Sequence, residues 1–178
     1  MINHGVSDMN YTITHSTSIV NGVGNYKKYK NGIADRVKLI HFTMNYIIKH
    51  NLIDFCDNIN IHVKPIKKFY GLYYHDIHDR ARVELNVRNA TSTMIRTILH
   101  ELKHSEQYKQ DRLKVIYDYK RKSWIDFWEG NEVSDRSKKY EDYRNLPWEI
   151  DARTTEKYAP QILAEYIVEI SKNKELVI

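Results

Sequence analysis

Cysteine is almost absent from the chain. Cys56 is the only one in 178 residues, so no disulfide can form within the chain, and a reducing, cytoplasmic setting is the expectation. The residue itself reads as a small buried hydrophobe. Long apolar runs are lacking too. None approaches the roughly 20 residues of a membrane span, so no membrane partner is expected. The first residues show no basic stretch followed by an apolar one, so a signal peptide is not expected either. No internal repeat is evident, which argues against a solenoid. Nor does one sign of charge dominate: 28 basic residues face 23 acidic ones, for a net charge of +5. Basic clusters do occur at Lys27-Lys28-Tyr29-Lys30, Lys67-Lys68, Lys120-Arg121-Lys122 and Lys138-Lys139. Such runs are usually solvated faces, so a nucleic-acid partner is not the favoured reading.

What remains is enough for one globular domain, with 42% hydrophobic residues to build a core. Residues 1–32 are polar and interrupted by glycine, and read as a weakly structured segment in which Tyr11 and Ile13 offer at most a short strand. Residues 33–178 read as a single domain. A helix is expected from Ile33 to about Asn51, with Val37, Ile40, Met44, Ile47 and Ile48 on one stripe. Ile59, Ile61 and Val63 alternate with polar residues as a strand. Phe69 to Tyr74 is a second strand, and Arg82 to Arg88 is the clearest one. Asp111 to Glu129 and about Glu132 to Tyr143 read as helices. Pro147 opens another, and a last helix follows Pro160. Strands followed by helices make the class α+β.

The informative stretch is Thr97-Ile98-Leu99-His100-Glu101-Leu102-Lys103-His104. In H-E-x-x-H on a helix, the two histidines lie within roughly 40° of one face, so both imidazoles reach one ion. Neutral imidazole suits Zn²⁺, and the intervening glutamate is placed to act on a water and not to bind the metal. Ile95, Ile98, Leu99 and Leu102 form a separate apolar stripe, and Thr91 or Ser92 is the expected N-cap. A catalytic zinc needs a third protein ligand. Glu106 lies on the wrong side of the helix. Asp111 is roughly 10 Å along the axis, with no glycine to turn the chain back. Glu149 is the best candidate, with small Ala152 permitting close helix approach and Arg153 placed to orient the carboxylate. Asp151 is its rival. His75-Asp76-Ile77-His78-Asp79 offers a possible second metal site but reads better as a solvated loop. Tyr108, Tyr140, Tyr143 and Tyr158 are all candidates to stabilise an oxyanion, and the spacing does not choose among them.

Glu84-Leu85-Asn86, His100 to His104 and Glu149-Ile150-Asp151-Ala152 together resemble the gluzincins, zincin metallopeptidases with glutamate as third ligand, and in particular their small, minimal-domain bacterial and phage members. The resemblance implies one Zn²⁺ on His100, His104 and Glu149, with Glu101 as general base. It also implies a small mixed or antiparallel sheet packed on the active-site helix, further C-terminal helices, and a protein or peptide substrate. An edge strand above the site would bind substrate backbone, with Arg82 to Arg88 as the natural candidate. The chain departs from the family at Arg153, where larger members carry an acid that braces a ligand histidine. Asp151 is the substitute on offer.

Overall fold

The computed structural model describes residues 11–15, 26–76, 80–133 and 140–175. The architecture is α+β. Strand β1 (Tyr11–His15) leads to helix α1 (Tyr26–Lys49), then β2 (Ile59–Lys64), β3 (Gly71–His75), β4 (Ala81–Asn86) and α2 (Thr91–Lys109). A second group of strands follows: β5 (Leu113–Asp118), β6 (Ser123–Trp128) and β7 (Asn131–Val133). The chain ends in α3 (Tyr140–Arg144), α4 (Pro147–Arg153), a 3-10 turn (Thr154–Tyr158) and α5 (Ala159–Glu175). No helix among the described residues is long and apolar enough to cross a membrane.

The first sheet has the order β1-β2-β4-β3, parallel except for β3, which runs antiparallel to β4. Period-two alternation sends Ile59, Ile61 and Val63 of β2 and Ala81, Val83 and Leu85 of β4 to one face. There they pack with Leu39, Ile40, Met44 and Ile47 of α1 and Ile95, Ile98, Leu99 and Leu102 of α2 in one core. The expected edge strand is corrected: β4 lies inside the sheet and β3 is the edge. Hydrogen-bonding order is non-local, so alternation within a single strand does not reveal it. An interior position also explains why Glu84 and Asn86, on the other face of β4, are buried.

Helix α1 starts at Tyr26, seven residues before the expected Ile33. A Cβ on Gly32 would meet nothing within 4 Å, so this glycine sits in open space and costs the helix only about 1 kcal/mol. The helix ends as a Schellman motif. Leu52 N–H donates to Ile47 O at 3.1 Å, with Asn51 left-handed at φ 47°. Helix α2 is capped at Ala90 with no side-chain bond, so neither Thr91 nor Ser92 caps it. Pro160 falls in the first turn of α5, where its missing N–H costs nothing.

The helix expected over Asp111 to Glu129 is a β-hairpin instead. Val115, Ile116, Tyr117, Trp124, Ile125 and Phe127 are β-branched or aromatic, and they pair in register, Ile116 against Ile125 and Tyr117 against Trp124. Asp118 Oδ1 accepts from Lys120 N–H at 2.7 Å and Arg121 N–H at 3.1 Å, which sets the turn. Glu129 (φ 50°) and Gly130 (φ 83°) then make the two-residue turn into β7, a geometry that demands positive φ at both positions. Of the helix expected over Glu132 to Tyr143, Glu132 and Val133 belong to β7 and only Tyr140–Arg144 is helical among the described residues.

Candidate metal centre

Helix α2 is covered on nearly every side in its second half. Glu101, His104, Ser105, Glu106 and Gln107 are all buried, so the two histidines are not on a solvent face. Helix α4 lies against α2 at Ala152, which is fully buried and offers only a methyl at the contact. Gln107 Nε2 donates across to Trp148 O of α4 at 2.9 Å, and Thr155 Oγ1 of the 3-10 turn donates to Leu99 O of α2 at 3.2 Å. Because Pro147 opens α4, Glu149 falls in its first turn and projects at the two imidazoles.

Three side chains converge. His100 Nε2 and His104 Nε2 are 3.2 Å apart, Glu149 Oε2 is 3.2 Å from His100 Nε2, and Glu149 Oε1 is 3.3 Å from His104 Nε2. Zinc bonds of 2.0–2.1 Å in a tetrahedron require ligand–ligand edges of about 3.3–3.4 Å; the N–N pair and the distance from each imidazole to its own carboxylate oxygen lie close to that value, and one ligand atom from each residue falls within 4.8 Å of the others. A second observation agrees. Glu149 Oε1 is buried and close to His104 Nε2, yet makes no hydrogen bond, and an acceptor so placed lacks the partner that a cation supplies. Among the described residues, this triad is the group of histidine and acidic side chains able to hold one ion.

The outer nitrogens are committed elsewhere. His100 Nδ1–H donates to Glu156 Oε1 at 3.2 Å and His104 Nδ1–H to Gln107 Oε1 at 2.9 Å, which turns both Nε2 lone pairs inward. Neither brace was anticipated. Gln107 had a visible signal, three residues past His104 on the same helix. Glu156 had none, because the 3-10 turn resets the helical phase after Arg153. Asp151 is a step further out. Its Oδ2 accepts from Gln107 Nε2 at 2.9 Å and Arg112 Nη1 at 3.1 Å, and it does not enter the triad. Arg153 donates to Arg144 O at 2.7 Å and does not orient Glu149. Glu106 accepts from Asp54 N–H at 2.8 Å and pairs with Lys103. Asp111 does turn the chain without glycine, at φ 59°, but its carboxylate goes to Lys114 at 3.2 Å.

In the loop after β3, His75 Nδ1 is 2.8 Å from the Tyr73 hydroxyl and its ring stacks on Tyr108 with centroids 5.1 Å apart, while Asp76 pairs with Arg80 at 2.7 Å. Ile77, His78 and Asp79 lie outside the described residues. Of the four tyrosines, the hydroxyl of Tyr143 hydrogen-bonds Glu149. Tyr108 is held against His75 and Tyr73, Tyr158 lies beneath Lys157, and the side chain of Tyr140 is outside the described residues.

Charges at the centre are strongly shifted. Burial alone would lower His100, but hydrogen bonds to Glu149 and Glu156 outweigh it and raise the imidazole to about 10. Glu149 moves the other way. Burial pushes it up, and the imidazoles of His100 and His104 close beside it carry it far below the ordinary carboxylate range. Without metal, the stabilisation from His100 is complete below its ordinary 6.5 and fades as pH rises toward about 10. That from Glu149 is complete above its ordinary 4.5 and fades as pH falls. A cation entering near neutrality must therefore displace the His100 proton. Zinc affinity should rise by about tenfold per pH unit between roughly pH 6.5 and 8, read by competition with a chromophoric chelator of known protonation. A flat profile would contradict the assignment.

Glu101 faces β3. Burial raises its carboxyl above the ordinary range against the pull of both histidines and the weaker pull of the Tyr73 backbone on the edge strand. The close approach depends on Gly71. A Cβ there would lie 2.4 Å from Thr97 Cγ2, 3.1 Å from Glu84 O and 3.2 Å from Glu101 Oε1. Gly71→Ala should destabilise the protein by about 1–3 kcal/mol, the usual range for an overpacked contact. Adding Thr97→Ser deletes the obstructing methyl and keeps the Oγ bond to Thr93 O, so the double variant should recover most of the loss in urea unfolding. Additive losses would show that another contact is responsible.

Comparison of the chain with protein-family models, with curated proteins and with solved structures finds no match.

Proposed function

We propose that the protein is a zinc-dependent peptidase that cleaves peptide bonds in a protein or peptide substrate. The observation that carries this reading is the convergence of two Nε2 atoms and one carboxylate to within 4.8 Å of one another, beside a buried glutamate that takes no part in it. A zinc ion on His100, His104 and Glu149 would supply a Lewis acid for the scissile carbonyl and a water acidified from 15.7 toward about 7. Glu101 is the base. Its affinity for protons, raised by burial, suits accepting one and passing it to the leaving amine. The carboxylate is held against β3 by burial and by the close approach that Gly71 permits. Glu156 and Gln107 keep the imidazoles in the tautomer with Nε2 free. Tyr143, half exposed and bonded to Glu149, is the hydroxyl best placed to meet developing negative charge at the mouth of the site.

The test is a digest of a broad peptide library by purified protein of known metal content, with products identified by mass spectrometry. About one zinc per chain and chelator-sensitive cleavage would support the reading. One zinc per chain with no cleavage would leave a metal-binding module that hydrolyses nothing.

A further inference from the structure

A second surface stands apart from the metal centre, on the face of the first sheet turned away from α2. Between the end of β2 and strand β3 lies an open concavity of about 370 Å³, lined by Lys64, Lys67, Lys68, Phe69, Leu72 and Tyr74 among others. Aromatic side chains stand out in solvent here: Phe69 is 53% exposed, Tyr70 68% and Tyr74 46%. A single exposed ring is ordinary, whereas here Phe69 and Tyr74 line one concavity and Tyr70 follows Phe69 directly in the chain.

The rings are not on a floppy segment. Asn86, buried beneath the loop, accepts from Ile66 N–H at 3.3 Å and donates to Ile66 O at 2.8 Å and Phe69 O at 3.3 Å. Tyr70 O receives Asn86 N–H at 3.0 Å and Asn89 Nδ2 at 2.9 Å. Buried asparagines thus fix the backbone that presents the exposed rings, which is the arrangement of a pre-organised recognition loop. The charge is one-sided. Lys67 and Lys68 are exposed, and the carboxylate in the lining, Glu84, already pairs with Lys64 at 2.5 Å and Arg82 at 2.8 Å.

We propose that this face binds single-stranded nucleic acid, with Lys67 and Lys68 on phosphates and unpaired bases stacked on Phe69, Tyr70 and Tyr74. Lysines interleaved with exposed rings are what a strand without sequence preference requires: charge along the backbone, and flat apolar surface for bases that a duplex would keep stacked on one another. An acidic peptide would use the lysines and leave the rings without flat partners. The reading is independent of the metal centre, because none of these residues touches it.

The experiment is fluorescence polarisation of the full-length protein with a labelled oligothymidylate of about 20 nucleotides, long enough for one site, titrated between roughly 50 and 200 mM salt. The strand should bind more tightly than a duplex of the same length. Lys67→Ala with Lys68→Ala should weaken binding and flatten the log–log salt slope by about 1.4, two lost phosphate contacts at about 0.7 each. Phe69→Ala and Tyr70→Ala should each weaken binding by about 5- to 150-fold without changing that slope. Tyr70→Leu, which keeps bulk and removes the ring, should behave like Tyr70→Ala. Thermal melts of these surface variants should match the wild type. No binding at about 50 mM salt would overturn the proposal. So would equal competition by polyglutamate together with unaffected ring variants, an outcome that would assign the face to an acidic peptide.

Discussion

Glu101→Gln should keep about one zinc per chain and lower peptide hydrolysis by about 10²- to 10⁴-fold, the usual contribution of a positioned general base. The substitution is nearly isosteric, so the side chain's place against β3 beside Gly71 is preserved while its basicity is lost. Neither Nε2 atom nor Glu149 is touched, and the metal content should not change. The comparison is of initial rates on a fluorogenic peptide, with zinc measured on the same samples. Wild-type turnover by the variant would assign the proton transfer to another group. Loss of metal and activity together would show that Glu101 supports the triad and does not act as the base.

Glu149→Ala should weaken zinc binding far more than any change among the bracing residues. It removes the carboxylate whose oxygens stand 3.2 and 3.3 Å from the two imidazoles, leaving two protein ligands where a catalytic site has three. Gln107→Ala and Glu156→Ala each free one imidazole to rotate, and should cost the 10- to 100-fold typical of an outer partner. Asp151→Asn retains an oxygen for Gln107 Nε2 and should fall at or below the low end of that range. A chelator competition across the four variants gives the ranking. Equal affinity for Glu149→Ala and wild type, with collapse in the Asp151 variant, would demand that α4 dock in a rotated orientation.

The parts of the site that follow from spacing along one helix were readable in the chain. His100 and His104 lie four residues apart, and no packing detail alters which face they share. Glu149 was readable for a related reason: Pro147 fixes where α4 begins, and Ala152 marks the face that approaches a neighbour. Information carried by the order of strands was not readable. The residues of β4 look the same whether it is an edge or an interior strand, and only the return of β3 along it decides. The β5–β6 hairpin was misread because its apolar residues also satisfy a loose helical spacing. The better signal was chemical, in β-branched and aromatic residues flanking a turn that Asp118 closes. Glu156 lay beyond reach because its position depends on the local change of helix type after Arg153.

The ends of the segment between α2 and α4 return to within a hydrogen bond of each other, through Gln107 Nε2 and Trp148 O. The described residues between them, 113–133 and 140–144, therefore lie on an excursion that leaves one helix and comes back to it, anchored by Arg112 over Trp128 and by Trp128 beside Trp148. A cut in the exposed turn at Lys120 to Lys122 would leave one piece carrying the sheet, α1 and α2, and another carrying α4 and α5, still sharing a core through Ala159 and Ile162. The three ligands would then belong to two separate polypeptides. The fold is in this respect a natural split protein, whose halves meet at the very atoms that define the site.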